Sequence, residues 1–118
     1  MAAAVKTVED YKVGDQDVFL SLSIGEGQTG TTEVFLGTKP LVTASGDFGN
    51  LLIGNGQDLI GKKLSVRSII NDVMSHHNRM SVTYHFKGGT KARNFEADGE
   101  VAGNGSLLRF RCTFTFVA

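Results

Sequence analysis

The C-terminal stretch, residues 107–117, constrains the fold more than any other segment of the chain. Every second side chain in it is apolar, while the residues between are mostly polar or charged. A period of two places successive side chains on opposite faces of a strand. The stretch therefore predicts a long strand with one face in a core, formed by Leu108, Phe110, Cys112, Phe114 and Phe116.

Six further segments are predicted strands, most of them with this alternation although Ile69 interrupts it in one, and no segment shows the apolar period of an amphipathic helix. Most of the 15 glycines stand between these segments, as expected of tight turns. The predicted strands are 18–24, 31–36, 41–45, 64–72, 80–86 and 95–101. We therefore predict an all-β, single-domain antiparallel β-sandwich of about seven to eight strands over residues 1–118, with a small β-barrel as the alternative.

Two regions carry weaker patterns. Residues 1–16 are polar and predict a loose N-terminal arm, with at most a short edge strand around Tyr11 to Val13. Residues 46–61 contain five glycines and two asparagines. We therefore expect mostly loop in that region, with a brief strand at residues 51–53.

The turn at residues 103–106, Gly-Asn-Gly-Ser, predicts that the last two strands form a hairpin. Asn-Gly at the two central positions favours a type I′ turn, which fixes the strand register. In that register Glu100 lies opposite Arg109, and Asp98 lies opposite Arg111. The apolar face then pairs Val101 with Leu108, Ala97 with Cys112 and Phe95 with Phe114. We therefore expect both arginines to be largely neutralised by acidic neighbours.

Composition argues against several classes of partner. Twelve basic and 12 acidic residues give a formal net charge of zero, so no global field attracts nucleic acid or an anionic membrane. The chain begins without the apolar run of a signal peptide, and no stretch approaches the roughly 18 apolar residues of a membrane span. A cytoplasmic protein is therefore expected.

The single cysteine, Cys112, permits no intramolecular disulfide, and its place on the apolar face predicts a buried thiol.

Two short motifs resemble nucleotide or magnesium sites. Residues 25–30 match G-x-G-x-x-G after a strand, but the next segment predicts another strand instead of the helix that binds a pyrophosphate. Residues 47–49, Asp-Phe-Gly, match the magnesium motif of protein kinases, but no H-R-D catalytic loop accompanies them. We therefore expect neither a bound nucleotide nor any other cofactor.

Three histidines are candidate ligand-binding residues. His76 and His77 fall in a predicted loop, and His85 falls on the polar face of the strand that follows. Asp72 is near them in the sequence, but no cysteine or second carboxylate completes a recognisable zinc-ligand spacing. We therefore expect no metal at His76, His77 or His85.

A basic patch is a further candidate site. Its members are Lys87, Lys91, Arg93, Arg109 and Arg111. Because the predicted hairpin pairs the last two with acidic residues, nucleic-acid binding is not expected.

Apolar side chains on the predicted outer faces indicate contact with another protein. Phe19, Phe35 and Leu107 fall on faces that alternation places in solvent, and such groups often mark an interface. Coverage by a loop or by the N-terminal arm is the other explanation. Because no credible catalytic constellation is present, we predict a non-enzymatic interaction or structural module that associates with itself or another protein. A module that binds a glycan or small ligand through its end loops is the alternative, and an unrecognised enzyme ranks third.

Overall fold

The structure is a computed structural model that describes residues 3–25, 27–71, 79–100 and 107–118. Strands account for 78% of the described residues, and these residues contain one short helix. No helix in the described ranges is long and apolar enough to cross a membrane. The elements are β1 (Ala3–Lys12), β2 (Asp17–Ile24), β3 (Thr29–Leu36), β4 (Lys39–Ser45), β5 (Phe48–Asn55), α1 (Gly56–Leu59), β6 (Lys63–Asn71), β7 (Arg79–Lys87), β8 (Arg93–Glu100) and β9 (Leu107–Val117).

The strands form two sheets that pack face to face and do not close into a barrel. The five-stranded sheet has the order β1-β9-β6-β3-β4, and the four-stranded sheet has the order β5-β2-β7-β8. Neighbouring strands are antiparallel, except that β1 runs parallel to β9. The predicted β-sandwich is therefore confirmed, with nine described strands and one parallel pair.

The core lies between the two sheets, and the alternation of β9 places its apolar face there as predicted. The five apolar residues of that face are all buried, whereas Arg109 and Arg111 between them are exposed. The ring of Phe114 packs against rings from the opposite sheet. Its centroid lies 5.3 Å from that of Tyr84, 4.7 Å from that of Phe86 and 5.2 Å from that of Phe95.

The predicted loose N-terminal arm is wrong, because β1 is a ten-residue edge strand of the five-stranded sheet. Tyr11 anchors its end: the side chain is fully buried and its ring stacks on Phe86 at 4.8 Å. The Tyr11 hydroxyl donates to the carbonyl oxygen of Lys91 (2.7 Å) and accepts from the backbone N–H of Gly89 (3.0 Å). Ladder hydrogen bonds to β9 and one anchored aromatic ring hold a segment that has no regular apolar alternation of its own.

The prediction of mostly loop over residues 46–61 is also wrong. Half of that region is the eight-residue strand β5, and the four-residue helix α1 follows it. The side-chain oxygen of Asn55 caps α1 by accepting from the backbone N–H of Gln57 at 3.1 Å. β5 pairs with β2 through two register shifts, and it lies at a sheet edge, where irregular pairing and glycines are tolerated.

The predicted hairpin between the last two strands is wrong as well. β8 pairs with β7 in the four-stranded sheet, whereas β9 lies between β1 and β6 in the other sheet. The predicted contact between Phe95 and Phe114 does occur, but the two rings meet across the core. The turn itself and Val101 belong to residues 101–106, which lie outside the described residues. Facing strands of a sandwich bury the same alternate residues as paired strands, so the apolar match did not distinguish the two arrangements.

Candidate functional site: an arginine groove

Charged side chains form a row across the outer face of the five-stranded sheet. The strand register places Lys6 of β1 next to Arg111 of β9, Arg111 opposite Arg67 of β6, and Arg67 opposite Glu33 of β3. All four side chains are exposed. The row therefore contains three cations on three neighbouring strands and a single carboxylate at its β3 end.

A groove of about 300 Å³ runs over this part of the sheet, and we call it the arginine groove. Its lining contains three guanidinium groups and one carboxylate, with Ile69 as an exposed apolar member. Its volume is near the lower end of the range for small-molecule sites. The lining residues are Thr31, Glu33, Thr43, Arg67, Ser68, Ile69, Arg109, Phe110 and Arg111.

Two residues of the neighbouring strand β3 lie next to the side chain of Arg67. Its guanidinium carbon lies 5.1 Å from the centroid of the Phe35 ring, and Glu33 is its cross-strand partner. A cation over an aromatic face and an opposite charge in register both favour a fixed orientation. Arg67 is therefore positioned by residues of the sheet itself.

Sequence reasoning missed Arg67 and Glu33. The alternation of residues 64–70 assigns Arg67 to the outer face, so its exposure was predictable. Its neighbours were not, because they depend on which strands are adjacent. β9 and β6 are far apart in the chain but adjacent in the sheet.

The expected neutralisation of Arg109 and Arg111 by β8 is wrong. Asp98 and Glu100 lie in the four-stranded sheet, so they cannot be cross-strand partners of β9. The predicted basic patch is divided by the fold in the same way. Lys91 and Arg93 line a separate cleft of about 530 Å³ with Tyr11, Lys12 and Thr90.

An acidic stripe lies on the outer face of the four-stranded sheet. It consists of Glu96, Asp98 and Glu100, three exposed side chains at alternate positions of the edge strand β8. Arg79 lies opposite Glu100, so the stripe is offset by one cation at that end. Although the formal net charge of the chain is zero, a cluster of cations and a cluster of carboxylates thus lie on different faces.

Of the three candidate histidines, one lies within the described residues. His76 and His77 lie outside the described residues. His85 is half-buried on the outer face of the four-stranded sheet, where Nδ1 is hydrogen-bonded to Oδ1 of Asn94. Within the described ranges, no group of three or more His, Cys, Asp or Glu residues is arranged to hold a metal ion.

The three predicted interface residues lie on two different faces. Phe35 and Leu107 are on the outer face of the five-stranded sheet, and Leu107 is 39% exposed. Phe19 is on the outer face of the four-stranded sheet, in register with Leu52 and Lys87. The three residues therefore do not form one surface.

Cys112 is buried in the inner face of β9, as its position predicts. Burial raises the pKa of its thiol to about 11, against the smaller lowering effect of the hydrogen bond that the Thr7 hydroxyl donates to its sulfur. A thiol of this kind is almost fully protonated near neutral pH, and the thiolate is the nucleophile. Cys112 is therefore a core residue and not a catalytic group.

Cys112 should react with a thiol reagent at pH 8 at least about 100-fold more slowly in the folded protein than in urea. The reason is the rise in pKa from 9.0 to about 11, two units and thus a hundredfold lower thiolate fraction, added to the burial of the sulfur. Absorbance of the released chromophore measures both rates. Comparable rates would contradict the burial of this face of β9.

Compared with known proteins, the chain matches no family model, no curated protein and no solved structure.

Proposed function

We propose that the protein is a non-enzymatic interaction module that associates with further copies of itself. The basic outer face of the five-stranded sheet of one copy contacts the acidic stripe of the next. The separation of charge onto these two faces is the observation that carries the proposal. Complementary charged surfaces steer two molecules together and set their register.

The basic face offers more positive charge than its own carboxylates offset. Lys6, Arg67, Arg109 and Arg111 stand against Glu33 and Asp10, whereas the stripe presents Glu96, Asp98 and Glu100. Because the two patches are different surfaces of one chain, their contact is heterologous. Such a contact leaves one basic face and one stripe open after each addition, so it builds rings or longer assemblies.

Apolar side chains around the cations support the same face as the contact surface. Ile69 is 41% exposed within the groove, and Leu107 and Val8 are exposed on the same sheet face. Apolar groups next to complementary charges are typical of protein interfaces. Burial of these groups would add a contribution that salt does not screen.

The non-enzymatic part of the proposal rests on the state of the reactive side chains. The thiol of Cys112 is buried and its pKa is raised, so it lacks the exposed thiolate of a nucleophile. His85 is bound to an amide oxygen, whereas a general base is usually oriented by a carboxylate or backbone carbonyl.

Association should depend on protein concentration and weaken with salt. We expect sedimentation velocity to show larger species at roughly 0.01 M salt, where the Debye length is about 30 Å, and mostly monomer at roughly 1 M, where it is about 3 Å. Arg111→Glu and Asp98→Lys should each sediment as a monomer at low salt, because each places like charges against each other in the proposed contact.

A charge-swap mixture and a matched control make this test specific. Mixing the Arg111→Glu and Asp98→Lys variants should restore association, since the intact stripe of the first meets the intact basic face of the second and the two altered surfaces are also complementary. Lys62→Glu makes the same reversal as Arg111→Glu at an exposed site between α1 and β6, and should associate like the parent. A parent that stays monomeric at high concentration and low salt, or a mixture that stays monomeric, would contradict the proposal.

A further inference from the structure

The row of cations in the arginine groove is unfavourable for the isolated sheet. Arg111 lies directly opposite Arg67, with Lys6 on its other side. Like charges at directly opposite positions destabilise a sheet. Glu33 is adjacent to Arg67 but is separated from Arg111 by a whole strand, so it offsets the charge at only one end of the row.

The guanidinium groups are also placed on interior strands of this sheet. β9 and β6 are interior strands, hydrogen-bonded on both sides. Arg67 is oriented further by the Phe35 ring at 5.1 Å. Donors held in place before a ligand arrives lose little conformational entropy when it binds.

We propose that the arginine groove binds a free oxyanion, a phosphate, sulfate or carboxylate group, between Arg67 and Arg111, with Arg109 as a further donor. This site lies on the same face of the sheet as the proposed contact between copies, but it does not require self-association. Each guanidinium presents parallel N–H donors that match the oxygens of such a group in a bidentate contact. The bound group places negative charge between two cations that otherwise repel each other.

The volume of the groove limits the kind of ligand. About 300 Å³ accommodates one such anionic group together with a small part of the molecule that carries it. Exposed Ile69 beside the arginines provides an apolar contact for that part. A free inorganic ion and an acidic group on a sugar or metabolite share this chemistry, and the probes below separate them.

Thermal unfolding and calorimetry test the inference on dilute protein that sedimentation shows to be monomeric. The probes are inorganic phosphate, sulfate, acetate and glucuronate, each compared with chloride at equal ionic strength. Because phosphate and sulfate also stabilise proteins by exclusion from their surfaces, the informative quantity is the difference between the parent and Arg111→Gln. We expect a saturable rise in Tm for the parent and at least roughly tenfold weaker binding for Arg111→Gln or Arg67→Gln.

Two readouts separate a ligand site from a structural role. Without the anion, Arg111→Gln should melt at or above the temperature of the parent, because it removes a like-charge contact. A residue needed only for folding would lower Tm under both conditions. Lys62→Gln removes one positive charge outside the groove and should keep the full response to the anion.

Tighter binding of glucuronate than of acetate or phosphate would identify an organic acid as the ligand class. Tighter binding of phosphate or sulfate than of glucuronate would identify the inorganic ion.

The outcome distinguishes this inference from the proposed function. If no probe raises the Tm of the parent beyond that of Arg111→Gln while the charge-swap mixture associates, the oxyanion site is wrong and self-association stands. If an anion binds and the parent remains monomeric, self-association is wrong and the site stands. If both are correct, the bound anion should dissociate the assemblies, because it occupies the surface that receives the acidic stripe.

Discussion

A Phe114→Ala variant is expected to lose about 3–5 kcal/mol of its free energy of unfolding. Phe114 is fully buried, and its ring contacts those of Tyr84, Phe86 and Phe95 across the core. Both sheets bound the cavity that the substitution would leave, and packed strands relax into such a space only partly. The measurement is urea unfolding, in which the midpoint should fall with little change in slope.

Phe35→Ala is the matched control, because it removes the same ring from the outer face of the same sheet. Phe35 is only half-buried, and its described ring contact is the guanidinium of Arg67. Its loss leaves no enclosed cavity, so about 1 kcal/mol or less is expected. Equal midpoint changes in the two variants would contradict the inward orientation of the β9 apolar face.

The orientation of individual strands was predictable from the sequence because it depends on local alternation. In β9 the inner and outer residues follow the period of two without exception, and β6 does the same from Leu64 to Ile70. A strand with one face in a core must bury every second side chain, whichever strand lies beside it. The fold class therefore followed from patterns inside single segments.

Strand partners were not predictable in the same way. The hairpin argument combined a turn, an apolar match and a charge match, yet β8 and β9 lie in different sheets. Strands that face each other across a sandwich satisfy the apolar match equally well. The charge match also had little weight, since an exposed cross-strand pair contributes only about 0.2–1 kcal/mol.

Two of the four edge strands, β1 and β5, were largely missed because their stability comes from their neighbours. β1 is held in place mainly by its ladder hydrogen bonds to β9 and by the buried Tyr11 at its end. Most of its other described side chains are exposed. β5 contains Gly49 and Gly54, which look like loop residues in the sequence. At an edge only one side must pair, so weak local propensity is tolerated.

The arginine groove depends on the same missing information. The sequence places Arg67, Arg109 and Arg111 on outer faces, but their convergence requires that β6 and β9 be adjacent. Expected pairing with Asp98 and Glu100 concealed the cluster, and net neutrality concealed the separation of charge. A balanced composition limits the global field of a protein and does not limit the field of one face.

A Gly88→Ala variant is expected to lose about 2–6 kcal/mol, the sum of backbone strain of about 1–3 kcal/mol and overpacking of about 1–3 kcal/mol. Gly88 follows β7 with φ of +91°, where an L side chain is strained. An added Cβ would also collide with the carbonyl oxygen of Asp17 at the start of β2. Urea unfolding again gives the change in free energy.

Gly37→Ala separates the two contributions, because Gly37 has φ of +60° and no atom within 4 Å of an added Cβ. Strain alone predicts a loss of about 1–2 kcal/mol there. The collision at Gly88 cannot be relieved by a small shift of the loop, since Tyr11 holds Gly89 and Lys91, and the N–H of Thr90 donates to the carbonyl oxygen of Lys12 at 3.1 Å. If Gly88→Ala loses no more free energy of unfolding than Gly37→Ala, the loop must shift to accommodate the added Cβ. β8 and its acidic stripe would then be less firmly placed than the proposed contact between copies requires.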